Sequence, residues 1–228
     1  SGGAGTPSSK RHNAVFDSNS TVNVKLEGNV GTIFKLKVLN GYSGTINLNG
    51  KDLKTQNNML INSGTVLVPA NSTFQSYKDL NIGANGTVTA SGNASKIKVK
   101  SNLKIKGVLT APSGGGDRFL VRGGFNLFSG GIFYHNDGTV TLNTRYKNKN
   151  GRPAATINIQ DGPGTGRNFY NLKKTAQKHI YINGDIEIEN DLSVLGNGHI
   201  SAKNLNNTNY DIKNIYTSIR MSNSIINI

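Results

Sequence analysis

The chain contains no cysteine, which excludes a disulfide framework and any thiolate metal site and leaves the redox compartment open. Tryptophan is absent and proline is held to 5 residues. Apolar runs extend over only a few residues, so a membrane-spanning helix is excluded. No segment offers an amphipathic helix with caps. Acidic residues are scarce: 12 Asp and Glu stand against 26 Lys and Arg, a formal net charge of +14. That sign predicts attraction to anionic surfaces such as lipopolysaccharide, acidic glycans, nucleic acid or membranes. Charged residues make up only 17%, so polarity comes from Asn, Ser, Thr and Gly, unlike the composition of a highly charged disordered chain. At 228 residues the chain is long enough to bury a core.

What is abundant is a short phrase, Gly-Thr followed by Ile or Val. It stands at Gly31-Thr32-Ile33, Gly44-Thr45-Ile46, Gly64-Thr65-Val66, Gly86-Thr87-Val88 and Gly138-Thr139-Val140. Weaker copies are Gly107-Val108-Leu109 and Gly130-Gly131-Ile132. Most copies lie about 20 to 22 residues apart, the spacing expected when one coil of a β-solenoid stacks on the next. Short β-branched segments fill the intervals, and Asn40-Gly41, Asn49-Gly50 and Asn85-Gly86 read as turns, where both residue types tolerate positive φ. The fold expected is therefore all-β: a single-stranded, right-handed parallel β-helix of about ten coils of ~21 residues, with a loop insertion near 144–168. Residues 1–12 read as a flexible leading segment and 13–228 as one solenoid domain. A chain opening on Ser1, without a signal-peptide pattern, reads as a processed product or a piece of a longer protein.

Two stretches alternate strictly. In Lys96-Ile97-Lys98-Val99-Lys100 and Leu103-Lys104-Ile105-Lys106, Ile97, Val99, Leu103 and Ile105 are expected inward. Lys96, Lys98, Lys100, Lys104 and Lys106 are expected outward as one basic stripe, contacting an anionic partner or a neighbouring subunit. In Asp185–Leu192, Ile186, Ile188 and Leu192 are expected inward, with Asp185, Glu187, Glu189 and Asp191 forming an acidic stripe. The Gly- and Asn-rich stretch 144–168 interrupts the spacing, with a short strand expected at Ala155–Ile159. Its basic residues Arg145, Lys147, Lys149 and Arg152 are candidates for an anionic partner. The chain ends apolar: Ile219, Met221, Ile225, Ile226 and Ile228 have strand-like spacing. An open solenoid end exposes unpaired edges, so the strand within 215–228 is expected to be covered by another copy.

No set of residues carries the signature of a reaction. Glycoside hydrolysis needs two carboxyl groups flanking one bond. The acids from Asp185 to Asp191 have the spacing but no aromatic platform or basic partner beside them in sequence. No calcium-loop pattern is present, and His12, His135, His179 and His199 are scattered without metal-ligand spacing. His135, beside Asn136, reads as a turn residue. Gly162–Arg167 lacks the Lys-Ser/Thr ending of a phosphate loop. Arg145-Tyr146-Lys147 with Lys149 and Arg152 comes nearest to the basic and aromatic interleaving of single-strand binders, but a solvated loop fits better and a nucleic-acid partner is not expected. No catalytic residue, metal or cofactor is assigned.

Ser129-Gly130-Gly131-Ile132-Phe133-Tyr134-His135-Asn136-Asp137-Gly138-Thr139-Val140-Thr141-Leu142, then Phe169-Tyr170-Asn171-Leu172, then Asp185 to Val194, form a recognisable module. It resembles the repetitive β-solenoid modules of bacterial surface proteins, adhesin-like proteins and phage-associated structural proteins. Gly2 to Ser9 with Asn13 to Asp17 is similar to the segment that introduces the first coil in such proteins. Lys10-Arg11-His12 departs from that pattern, standing where such segments are acidic or neutral. The resemblance implies fold class rather than activity. The function expected is a non-enzymatic structural subunit of an extracellular assembly: a surface filament, sheath, adhesin stalk or virion appendage. Its partners would be other copies of itself, with anionic glycans or a cell-surface receptor as further candidates. A glycan- or receptor-binding module using the 144–168 loop is the first alternative, and a polysaccharide lyase or glycosidase the second.

Overall fold

A computed structural model describes residues 9–20, 22–144, 155–175, 180–195, 200–201, 212–213, 218–222 and 226–227. Its regular elements among these residues are all strands, and they pair in parallel from one coil to the next. The chain is a β-solenoid of about eight turns, close to the ten expected.

Each coil contributes to three walls. The first wall stacks Asn13–Phe16, Lys35–Val38, the leading part of Met59–Val68 and of Leu80–Ala90, Leu103–Ile105, Phe125–Leu127, Ala155–Ile159 and Ile180–Asn183. Backbone strands Ile200–Ser201 and Ile226–Asn227 continue it. The second wall holds Val24–Lys25, Thr45–Asn47, the trailing parts of the two long strands, Val108–Thr110 and Ile132–Tyr134. The third runs from Thr32–Ile33 through Leu53–Thr55, Thr73–Ser76, Lys96–Val99, Gly114–Val121, Gly138–Leu142 and Phe169–Lys174 to Ile186–Leu195.

Alternation along each strand turns every second side chain inward, and the parallel register stacks like on like. Leu36, Met59, Leu80, Leu103, Phe125 and Ile157 register one above another and are all buried. Within the core, Phe125 meets Phe133 and Phe169 with ring centroids 5.1 Å apart in both pairs, edge to face, a preferred aromatic geometry. Ile105 is fully buried in this core. Ile105→Ala is expected to cost about 2 to 5 kcal/mol in chemical denaturation, from lost burial and the cavity left behind.

The Gly-Thr phrase has a steric cause. Gly64 registers on Gly86, and the pairings Thr45 with Thr65, Thr87 with Val108 and Val108 with Ile132 align Gly44, Gly107 and Gly131 in the same column. At this corner neighbouring coils approach so closely that a Cβ on Gly86 would strike the Ile61 carbonyl. Gly64 also bends its long strand from the first wall to the second with φ at +66°. Gly31 and Gly138 stand on the third wall instead, which is why they break the spacing of the other copies. The Asn85-Gly86 turn is likewise corrected: the pair lies within the strand Leu80–Ala90, while Asn49-Gly50 does turn, with φ of 50° and 75°.

The insertion narrows. Ala155–Ile159 is a wall strand with Ala155, Ile157 and Ile159 buried, paired to Phe125–Leu127 below and Ile180–Asn183 above. Most of residues 160–168 form a loop over the second wall, where the Phe133 amide donates to the Gly166 carbonyl at 2.7 Å and Arg167 pairs with Asp161 at 3.2 Å. The step from Phe125 to Ile157 is 32 residues, against 22 from Leu103 to Phe125. The ten additional residues match the length of 145–154, which lie outside the described residues.

Candidate functional site

The expected alternation of the lysine segments is present, but their continuity is broken. Ile97, Val99, Leu103 and Ile105 are fully buried, and the lysines between them face out. The chain turns at Ser101-Asn102, however. Lys96 and Lys98 stand on the third wall with Lys100 just beyond, and Lys104 stands on the first wall with Lys106 just beyond. One stripe becomes two groups around a corner. Lys104 Nζ lies 3.0 Å from the Asp79 carboxylate, and Lys106 Nζ lies 5.4 Å from the centroid of the Phe128 ring. Lys96 and Lys98 make no ion pair among the described residues.

The corner between these groups is built from side-chain carbonyls and carboxylates that accept amides of the next coil. Asn58 Oδ1 accepts from the Asp79 amide at 3.2 Å, Asp79 Oδ1 from Asn102 at 3.0 Å, and Asn102 Oδ1 from Gly124 at 2.8 Å. Burial pushes the Asp79 carboxyl up, but hydrogen bonds from Asn102, Ser101 and Lys104 and the Lys104 charge outweigh it, leaving it below its ordinary value. Asp52 has the same balance, with Lys54 and Thr73 as its donors. Both carboxylates hold coils together.

The acidic stripe also alternates as expected, with Ile186, Ile188 and Leu192 fully buried. Sequence reading did not foresee its partners. His135, Tyr170 and Glu189 come from three successive coils. His135 Nδ1 accepts from the Asp137 amide at 3.1 Å, and Nε2 lies 3.3 Å from Glu189 Oε2. Tyr170 stacks on the imidazole at 5.6 Å, and Asn168 Nδ2 donates to Glu189 Oε1. Asn136 and Asp137 both have φ of 50°, so the turn role of His135 holds as well. Asp191 accepts from the Ser193 hydroxyl at 2.7 Å. The cluster ties three coils together. Among the described residues no group of three or more His, Cys, Asp or Glu is arranged to hold a metal ion.

A second feature escaped the sequence reading. Lys174 registers between Leu142 and Val194 in an inward column and is fully buried. Desolvation lowers its ammonium from 10.5 to about 8. The signal was present: Leu172 is inward, so the residue two positions on had to be inward too.

A cavity of about 640 Å³ lies at the first described coil, lined by Ala14, Phe16, Val24, Leu26, Ile33 and Leu36 among others. At the opposite end, Ser218–Ser222 places Ile219 on Leu192 and Met221 on Val194, and Ile226–Asn227 places Ile226 on Ile200. Arg145, Lys147, Lys149, Arg152, Ile225 and Ile228 lie outside the described residues. Among the described residues, no helix is long and apolar enough to cross a membrane. No family model matches the chain, and neither the curated proteins nor the solved structures hold a significant match to it.

Proposed function

We propose that the chain is a non-enzymatic structural subunit of an extracellular assembly, such as a surface filament, sheath, adhesin stalk or virion appendage. The observation that carries this reading is the parallel ladder running through about eight turns between two terminal rungs. Asn13–Phe16 and Ile226–Asn227 are the ends of the first-wall path, each paired on one side only among the described residues. Unpaired strand edges are templates for pairing with another chain. The polar clusters that gather titratable side chains, at Asp79 and at His135, are satisfied by contacts between coils, as a load-carrying rod requires. The resemblance carried by residues 129–142 supports the same reading. The test is sedimentation over a range of concentrations: the full chain self-associates, and deletion of residues 219–228 converts the assembly to monomers or aggregates. A full-length chain that stays monomeric at high concentration, or a truncated one that assembles normally, overturns it.

The basic groups are proposed as contacts to neighbouring copies or to anionic glycans. Replacing Lys96, Lys98, Lys100, Lys104 and Lys106 by Gln is expected to weaken heparin retention and to reduce its dependence on salt, because screening acts on exposed charges. Unchanged retention would mean that these lysines are only a solvated face. A second reading, glycan or receptor binding, draws on Tyr134. Its side chain is 46% exposed beside the stacked His135 and Tyr170, and binding on a glycan array that Tyr134→Ala abolishes would favour it.

A further inference from the structure

We infer that the third wall carries a binding site for an acidic polysaccharide, formed by Lys96, Lys98 and Lys100 of one coil with Arg118 and Arg122 of the next. This rests on the reading above that the basic groups meet an anionic partner, and it names the site and the ligand class. Lys98 registers on Leu120, and Arg118 and Arg122 bracket Phe119–Val121 as Lys96 and Lys100 bracket Ile97–Val99. The Arg122 amide donates to the Val99 carbonyl at 2.9 Å, which carries the parallel register as far as Lys100. Phe119 and Val121 are buried, so alternation turns both arginines outward. Five cations therefore lie in two rows about 5 Å apart, spaced by about 7 Å along each row.

Three observations select this ligand. First, like charges on facing strands oppose sheet formation, yet the fold sets Lys96 beside Arg118 and Lys100 beside Arg122. Such a local conflict is expected where a ligand compensates it. The acids between residues 73 and 122 are Asp79, which Lys104 engages around the corner at 3.0 Å, and Asp117, next to Arg118 in the chain. The array thus keeps its positive sign. Second, the arginines suit an oxyanion. Arg118 Nη1 donates to the Ser113 carbonyl at 3.0 Å, which holds its guanidinium in place. Arg122 is half-buried, makes no side-chain hydrogen bond or ion pair among the described residues, and has its Nε covered without a partner. A guanidinium in that state gains paired hydrogen bonds from a carboxylate or sulfate. Third, the surroundings suit a sugar chain better than other polyanions. Tyr77, 47% exposed, follows Ser76, which registers on Val99, and so supplies one ring beside Lys100. Single-stranded nucleic acid calls for rings at successive bases. A membrane surface calls for exposed apolar side chains, whereas Leu120 in the middle of the array is only 5% exposed. The flat rows accept an extended chain with acidic groups at intervals, lying along the strands and across the rod.

The test measures binding of the full chain to heparin by titration calorimetry over a range of salt concentrations. Lys98→Gln with Arg122→Gln is expected to weaken binding by about tenfold or more, because two charge-assisted contacts are lost, and to flatten its dependence on salt. Lys35→Gln with Lys37→Gln removes the same charge from the first wall and is expected to leave the affinity within about twofold. Circular dichroism checks each fold, and Arg118→Gln replaces Arg122→Gln if the latter loses its β signal. Equal losses from the two pairs mean that heparin follows net charge alone, which overturns the site while leaving an anionic partner in place. Tighter binding of a single-stranded DNA oligomer or of phosphatidylserine vesicles than of heparin at the same salt, lost in the same variant, overturns the ligand class. An unaltered chain that does not bind heparin at low salt overturns the anionic-partner reading as well.

Discussion

Gly107→Ala is expected to destabilise the fold by about 3 kcal/mol or more, although it adds a single methyl group. The new Cβ would lie closer than 3.0 Å to the carbonyl oxygens of both Gly83 and Gly86 in the coil below. Those are backbone atoms of a hydrogen-bonded ladder, so they cannot swing away as a flexible side chain would. Relief requires the coil spacing to open at the corner, which lengthens the hydrogen bonds on both adjoining walls. Gly115→Ala is the control, since its Cβ meets nothing within 4 Å and its φ is ordinary. Chemical denaturation of the two variants checks this. Equal midpoints would remove the steric explanation of the repeated phrase.

The second large effect is a dependence on pH. Lys174→Met is expected to remove a pH-dependent contribution to stability, because burial lowers the Lys174 ammonium from 10.5 to about 8. The folded chain holds its Lys174 proton less tightly than the unfolded chain does. Between about pH 8 and 10.5 the unfolded state therefore binds more protons, and stability rises with pH. Below about 8 the full penalty is present; above 10.5 it is relieved. The Met variant keeps comparable volume without the charge, so its midpoint should lack this contribution to the rise. A wild-type profile with the same slope as the variant across this window would contradict the assignment of Lys174 as the group that titrates there.

The wall positions were legible because a strand's period of two needs only local sequence: Ile97, Val99, Leu103, Ile105, Ile186, Ile188 and Leu192 all face inward as read. The coil spacing was legible because the glycine column repeats where backbones nearly touch. What was hidden depends on where the chain turns. Ser101-Asn102 carries no strong turn signal, so five lysines read as one stripe although a corner divides them. Gly31 and Gly138 share a phrase with the glycines of the main column but serve another wall. The seven-residue acidic run looked solvated because its partners, His135 and Asn168, are 54 and 21 positions from Glu189. Lys174 is hidden for a different reason: its residue type is that of an outward position, whereas the alternation set by Leu172 makes it inward.

The most direct measurement of the central claim is a negative-stain micrograph of the full chain at high concentration. Unbranched filaments are expected, with one subunit contributing roughly 40 to 50 Å of length at about 4.8 Å per coil. Isolated rods of that length, unjoined at either end at every concentration, would contradict it.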